Sequence, residues 1–353
     1  MTDLRFVARE APILGPTSAP SFDCPIVRRP IAWAAKDVFN PAAVVRDGIV
    51  HLLFRAEDAD SPVKGTSRIG LATSEDGETY TVAAEPVLYP DRDEMLRYEW
   101  PGGVEDARIV EIEGGYHMTY TAFDGQMARL AIATSPDLRT WTKHGLAFEG
   151  EWRNRWSKSG AVLARLEGDR VVATRIAGKY WMYFGEGELF LATSDDLIAW
   201  DVVEFESGAN RLLRNGGPDG WWEHVDLPGS PAAYPVARPR AGRFDAELVE
   251  PGPFALLTDQ GIELAYNGAG GGIGVPGQAK GSYAPGWLVF DPLDLSAVIR
   301  RSTEPFLTPE RPMETQGQYP NVIFLNGLCR FRGRWLMPYG AGDSQIGLAV
   351  ADE

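Results

Sequence analysis

At 353 residues and 44% hydrophobic content, the chain is long enough to build a large buried core as a single domain. A formal charge of −15 disfavours nucleic acid and anionic membrane as partners, because phosphates demand neutralisation by Lys and Arg. The 11 Trp, 12 Tyr and 15 Phe, beside 39 Gly and 26 Pro, point to strands and tight turns, and the acidic surface suits a neutral polyol ligand.

The N-terminal residues 1–6 show no basic region followed by an apolar run, and no stretch approaches the ~20 apolar residues of a membrane helix. A cytoplasmic protein without signal peptide is expected. Cys24 and Cys329 make no disulfide framework and have no metal-ligand spacing, so two free thiols are expected.

From residue 39 onward a unit repeats. A turn signal precedes a short apolar strand carrying an anchor aromatic, and a second apolar strand follows. The turns are Asp47-Gly48, Gly114-Gly115, Gly178-Lys179, Gln260-Gly261 and Arg332-Gly333. The anchors are Phe54, Tyr120, Tyr183, Tyr266 and Tyr339, at intervals of roughly 60 to 85 residues. The second strands cover residues 69–76, 130–137, 189–196 and 346–352, with residues 287–291 a degenerate fourth copy. Trp141 and Trp200 extend two of these copies.

Five such units without a Pro/Ser-rich hinge predict an all-β fold, a five-bladed β-propeller over residues 1–353, in which radial repetition leaves only short protected edges. A long β-sandwich array is the competing architecture. The last copy ends at the C-terminus, so ring closure by the N-terminal segment is expected. The glycine-rich stretch 267–274 reads as a loop inside the fourth unit. It lacks the Gly-Lys-Ser/Thr ending and the following helix of a phosphate-cradling loop.

In a propeller, ligand groups come from the start of each blade. There the chain places Glu105, Asp106 and Arg108 just before an apolar run. Regular strand alternation puts Asp106 and Arg108 on one face and Glu105 on the other. A carboxyl beside a cation at a cavity mouth suits a general acid or a sugar ligand, and it equally suits a structural ion pair. The four histidines, His51, His117, His144 and His224, show no metal-ligand spacing, and no Ser or Cys triad is visible. No metal or cofactor is expected.

The run Gly-Val-Glu-Asp-Ala-Arg-Ile at 103–109, followed by Tyr120-Thr121-Ala122-Phe123-Asp124, resembles the signature of glycoside hydrolase family 130. Further resemblance lies at Phe39-Asn40-Pro41, residues 67–70, residues 156–162, residues 320–324 and residues 339–343. The resemblance implies a five-bladed propeller acting on β-mannosides by an inverting mechanism, with Asp106 as general acid. It further implies substrate contacts from Asn40, Arg55, Arg68, Glu105, Asp124, Lys158 and Asp343. A central cavity lined by most of these residues is expected, with residues 94–100 and 241–245 shaping the leaving-group side.

Phosphorylases of the family resemble a His-Arg pair where this chain has Phe184-Gly185, and a Tyr-His-Gly where it has Tyr266-Asn267-Gly268. Carboxylates arrive nearby as Glu186 and Glu250. A phosphate dianion facing them would be repelled, whereas a general base for water would be welcome. The expectation is therefore hydrolysis of β-1,2-linked mannosides in a mannose-containing oligosaccharide. Glu186 or Glu250 is the base, and Glu188 trails them. Phosphorolysis is the alternative, because Lys158, Arg238, Arg240 and Arg243 remain. A non-catalytic sugar-binding propeller is the reading from a different class.

Overall fold

A computed structural model describes residues 1–18, 21–60, 65–204, 233–270 and 281–352. His224 and residues 271–274 of the glycine-rich stretch lie outside them, while residues 267–270, expected as loop, end the strand Gly261–Gly270. The protein is 53% strand and 4% helix, which makes it all-β.

Among the described residues, the strands form five antiparallel meanders in chain order. The first runs Asp37–Arg46, Ile49–Glu57, Ser67–Ser74 and Thr81–Val82. The second runs Gly103–Ile112, Gly115–Phe123, Ala128–Ser135 and Thr142–Leu146. The third joins Ala161–Glu167, Lys179–Phe184, Phe190–Ser194 and Asp201–Val202. The fourth joins Leu248–Thr258, Gly261–Gly270, Ser282–Asp291 and Asp294–Arg301. Its third strand is 10 residues long and pairs without a break with Gly261–Gly270, while its register with Asp294–Arg301 shifts between Val289 and Asp291, within the copy that reads as degenerate in sequence.

The fifth meander joins Ile323–Leu325, Arg334–Ala341 and Gln345–Asp352. Its outer edge is the N-terminal Val7–Ala8, paired antiparallel with Val350 and Ala349. The two ends of the chain thus share one sheet.

The repeat has a mechanical cause. Each anchor aromatic is fully buried, and burying such a side chain contributes about 1.5–3 kcal/mol. The Thr-Ser-x-Asp ending of the second strand is a turn device. Ser135 Oγ accepts from the Leu138 amide, and Asp137 accepts from the amides of Arg139 and Thr140. Ser74 with Asp76, and Ser194 with Asp196, repeat this pattern. The two-residue turns at Asp47-Gly48 and Arg332-Gly333 have positive φ at both positions, the geometry that matches strand twist.

The opening strands depart from regularity where the chemistry sits. Register shifts occur between Phe39 and Ala42, between Glu105 and Arg108, and between Pro251 and Ala255. Asn40 and Asp106 sit in the first two shifts at φ 45° and 51°. Ser159, just before the third opening strand, has φ 58°. Asn and Asp tolerate the left-handed region better than other side chains, and a bulge re-aims the residue it carries.

Candidate active site

The bulges bring Asp106 and Asn40 together from different sheets. Asn40 Nδ2 donates to Asp106 Oδ1 at 2.9 Å, and both residues are buried. A Cβ on Gly340 would stand 2.1 Å from Asn40 Oδ1, so only glycine lets the fifth sheet approach. Arg55, on the second strand of the first meander, reaches Glu105 at 3.0 Å and Asp106 at 3.6 Å. Its Nε donates to Ser67 Oγ at 2.9 Å, and the Nη2 that reaches Glu105 also donates to Glu57 at 2.8 Å.

On the other side of Asp106 lies Lys158, whose Nζ is 3.5 Å from Asp106 Oδ2 and 3.9 Å from Glu186 Oε1. Glu186 occupies the loop after Lys179–Phe184 and accepts from the Trp156 indole at 2.5 Å. Glu250, from the fourth opening strand, is hydrogen-bonded to the Ser159 hydroxyl and is fully buried. Asp343, in the turn after Arg334–Ala341, feels both Arg55 and Asp106. All five meanders or the loops flanking them therefore contribute to one cluster. Five carboxyls there, Glu105, Asp106, Glu186, Glu250 and Asp343, share the cations Arg55 and Lys158.

The imbalance separates the carboxyls electrostatically. Burial opposes ionisation of Asp106, but Lys158, Arg55 and the Asn40 amide overcome it and hold the group down at about 2. Burial wins at the neighbours. Glu105 is raised to about 6 despite Arg55 and Lys158. Glu250 is raised to about 7, with Lys158 pulling down and Glu186 pushing up. Asp343 is raised to about 7, its burial outweighing Arg55. Burial also acts against charge on Lys158, yet Glu186 and Glu250 keep its ammonium charged far above neutrality. At neutral pH the site holds an ionised Asp106 beside Glu250 and Asp343, which are close to half-protonated there, while Glu105 gives up its proton about one pH unit lower.

Several expectations need correction. Arg68 does not join the cluster. It is fully buried in an ion pair with Asp58, donates to Thr66 O at 2.9 Å and lies over the Phe22 ring. Arg55 pairs with Ile69, and Arg68 pairs with Ala56. Directly opposite residues share a sheet face, so Arg55 and Arg68 fall on opposite faces. Asp124 caps a hairpin turn, accepting from the amides of Gln126 and Met127 and from Arg129 at 2.8 Å. The alternation expected around Asp106 fails at the bulge, since Glu105 and Asp106 both reach Arg55. Arg108 instead donates to the carbonyls of Gly252 at 2.7 Å, Pro251 at 2.8 Å and Asp106 at 3.1 Å, tying the second opening strand to the fourth.

The positions compared with phosphate ligands also serve packing. Phe184 is wholly buried against Phe148, Trp152 and Phe190. Asn267 is wholly buried, and both ends of its amide bond the Leu325 backbone, at 3.0 and 2.7 Å. Arg240 is held by Asp245, Arg238 by Glu188 at 2.8 Å, and Arg243 reaches Glu304 at 3.9 Å. Asp245, in the segment expected to shape the leaving-group side, is buried between Arg240, Arg301 and Tyr266.

Sequence reasoning overlooked Ser159, Asn326, Tyr283 and the indole of Trp156. The signal for the first two is the repeat itself. Asn40-Pro41, Asp106-Ala107, Ser159-Gly160 and Asn326-Gly327 each put a small polar residue before a small or rigid one at the start of a unit. Asn326, fully buried, donates to Ala107 O at 3.0 Å and to Asn40 O at 3.4 Å, stitching three opening segments. Tyr283 has its phenol pushed up by burial and by Glu250 and Glu186, which places it beside the cluster.

Comparison with known proteins identifies the family. The model of glycoside hydrolase family 130, described as beta-1,4-mannooligosaccharide phosphorylase, matches residues 10–353. A 1,2-beta-oligomannan phosphorylase of Thermoanaerobacter sp. (strain X514) is 28% identical over 327 residues, 91% of each chain. A glycosyl hydrolase structure from Bacteroides ovatus is 38% identical with a TM-score of 0.88, covering 99% of this chain and 94% of that one. A further structure, 37% identical with a TM-score of 0.89 over 99% of this chain and 94% of that one, carries a statement about the family. It says that this family of mannoside phosphorylases contains glycoside hydrolases that target β-1,2 mannosidic linkages in Candida mannan. The chain belongs to glycoside hydrolase family 130, whose members are enzymes acting on mannosides.

Proposed function

We propose that the protein is an inverting exo-acting β-mannosidase that hydrolyses β-1,2-linked mannosides, with the five meanders as propeller blades around the site. The observation that carries this reading is the shared demand on Lys158. Its ammonium lies within 4 Å of both Asp106 and Glu186, so those carboxylates are less than about 8 Å apart. The paired carboxyl groups of inverting hydrolases stand about 6.5–9.5 Å apart. A phosphate dianion would need cations to spare, and here both Arg55 and Lys158 are committed to carboxylates. The arginines left for a displaced phosphate site are engaged with Glu188, Asp245 and Glu304. The similarity at 37% to a structure described with β-1,2 mannoside hydrolases points the same way.

In this reading Asp106 protonates the departing glycosidic oxygen. Because Asp106 is ionised in the open site, it must first receive a proton. Glu105 and Asp343 hold protons up to about 6 and about 7 and face the same Arg55. In this reading a sugar bound against the cluster supplies hydroxyls that connect these groups. Glu186, across Lys158 from Asp106, is the base we favour for water. Glu250, held up at about 7 by burial beside the same Lys158, is the second candidate.

The test is incubation of β-1,2-mannobiose with and without inorganic phosphate. Mannose released in the α-anomeric form, at a rate indifferent to phosphate, is the expected result. Phosphate-dependent mannose 1-phosphate would return the enzyme to the phosphorylases.

A further inference from the structure

Among the described residues only two aromatic side chains are exposed, Trp156 at 46% and Tyr319 at 52%. Isolated exposed aromatics are ordinary on a protein surface. These two border the same carboxylate cluster. The Trp156 indole is pinned along its edge, donating to Glu186 and meeting Phe123 edge-on with ring centroids 6.4 Å apart. Tyr319 meets Tyr283 edge-on at 6.4 Å, and Tyr283 lies across Ala269 from Leu248, two residues along the strand from Glu250, whose charge its phenol feels. Side-chain exposure rises from 2% at Asp106 to 24% at Glu186, with Trp156 outermost. Asp106 is therefore at the floor, and the two rings are at the open rim.

A pyranose presents hydroxyls around its edge and a patch of C–H groups on its face. The buried carboxyls, Arg55 and Asn40 suit the hydroxyls of one sugar held at the floor. Any further sugar must lie toward the rim, where aromatic faces can cover its C–H patch. We propose that Trp156 and Tyr319 form the subsite for the leaving-group side of the substrate. Trp156 takes the sugar next to the scissile bond, and Tyr319 contributes to the unit beyond it. This assignment rests on the mannoside reading above.

The experiment compares Trp156→Ala, Trp156→Phe and Tyr319→Ala with the wild type. It measures kinetics on β-1,2-mannobiose and on the trisaccharide, inhibition by free mannose, and thermal unfolding. Trp156→Ala should raise KM for the disaccharide about tenfold, the effect of losing one aromatic packing partner. Inhibition by mannose and the unfolding midpoint should stay near wild type, since the floor is untouched. Trp156→Phe keeps a ring without the N–H and should recover most of the affinity. Tyr319→Ala should weaken the trisaccharide more than the disaccharide.

An equal loss of mannose and disaccharide affinity in Trp156→Ala, or no loss of either, would overturn the assignment. So would a Phe variant as poor as Ala, which would mean that the bond to Glu186 is the whole contribution. A wild type that neither binds mannose nor cleaves the disaccharide would overturn the mannoside reading itself. Variant results on an active wild type test the subsite alone.

Discussion

Two sets of buried carboxylates occur in this molecule, and they are served differently. The first lies beneath the anchor tyrosines of the repeat. Tyr120 OH donates to Glu99 at 2.9 Å, Tyr266 OH to Asp245 at 2.6 Å, and Tyr339 OH to Glu314 at 2.6 Å. Each of these carboxylates also has its own cation: Lys143 for Glu99, Arg240 and Arg301 for Asp245, and Arg311 for Glu314. The second set is the cluster at the opening strands, where five carboxyls divide Arg55 and Lys158. Burial reaches into both sets, although Glu186 and Asp343 are only half-buried, and Glu99, with both its partners, is still raised to about 7 by it. Burial with a shifted titration thus does not by itself mark chemistry. What separates the sets is the supply of donors. The tyrosine-linked carboxylates are satisfied by the protein, whereas the clustered ones leave hydrogen-bonding capacity for a ligand.

The strongest way to break this comparison is Asp245→Asn, which strands Arg240 and Arg301 in the interior. We expect a stability loss of about 3–5 kcal/mol, as when one partner of a buried ion pair is removed. Turnover per folded molecule should be unchanged, and denaturant unfolding with active-site titration reads both quantities. A large fall in turnover with native stability would place Asp245 in the wrong set. Asp106→Asn should do the opposite. Asparagine accepts the same left-handed backbone, so the fold persists, while turnover on an unactivated mannoside falls on the order of 10²-fold or more. Near wild-type turnover would remove Asp106 from the mechanism. An activated aryl mannoside should suffer less, because its leaving group needs little protonation.

A smaller effect is expected from Tyr339→Phe, which deletes one donor to Glu314 and leaves the packing intact. The cost should be about 1–3 kcal/mol, with kinetics unaltered. Altered KM would mean that the fifth meander positions the site more directly than its contacts suggest. The gentlest test is pH. Glu105, Glu250 and Asp343 have folded values raised to about 6–7, so the native protein keeps protons that the unfolded chain has already lost. Their stabilising contribution is present in acid and declines as pH rises through about 5 to 7. Asp106 has the opposite sign, and its contribution is lost only as pH falls toward about 2. The unfolding midpoint should therefore be higher near pH 5.5 than near pH 7.5, and Glu250→Gln should narrow the gap. A midpoint that rises across that interval would contradict the proton inventory of the site.

The sequence by itself determined the all-β class, the repeating turn-and-strand unit and the position of Asp106 beside Glu105 at the start of a unit. These features are local. Anchor aromatics, Asp-Gly turns and Thr-Ser-x-Asp endings act within a few residues, so their consequences can be read along the chain. Tertiary structure alone decided which polar groups converge. Arg55 enters the cluster and Arg68 leaves it because strand pairing puts them on opposite faces of one sheet. Glu105 and Asp106 meet the same guanidinium because a bulge cancels the alternation that a regular strand would impose. Glu250 finds Ser159, and Asn326 finds Ala107 and Asn40, across separations of 91, 219 and 286 residues. No local pattern encodes such partners. They follow from the packing of whole sheets, which is where the energy that holds a buried, underserved set of carboxyls comes from.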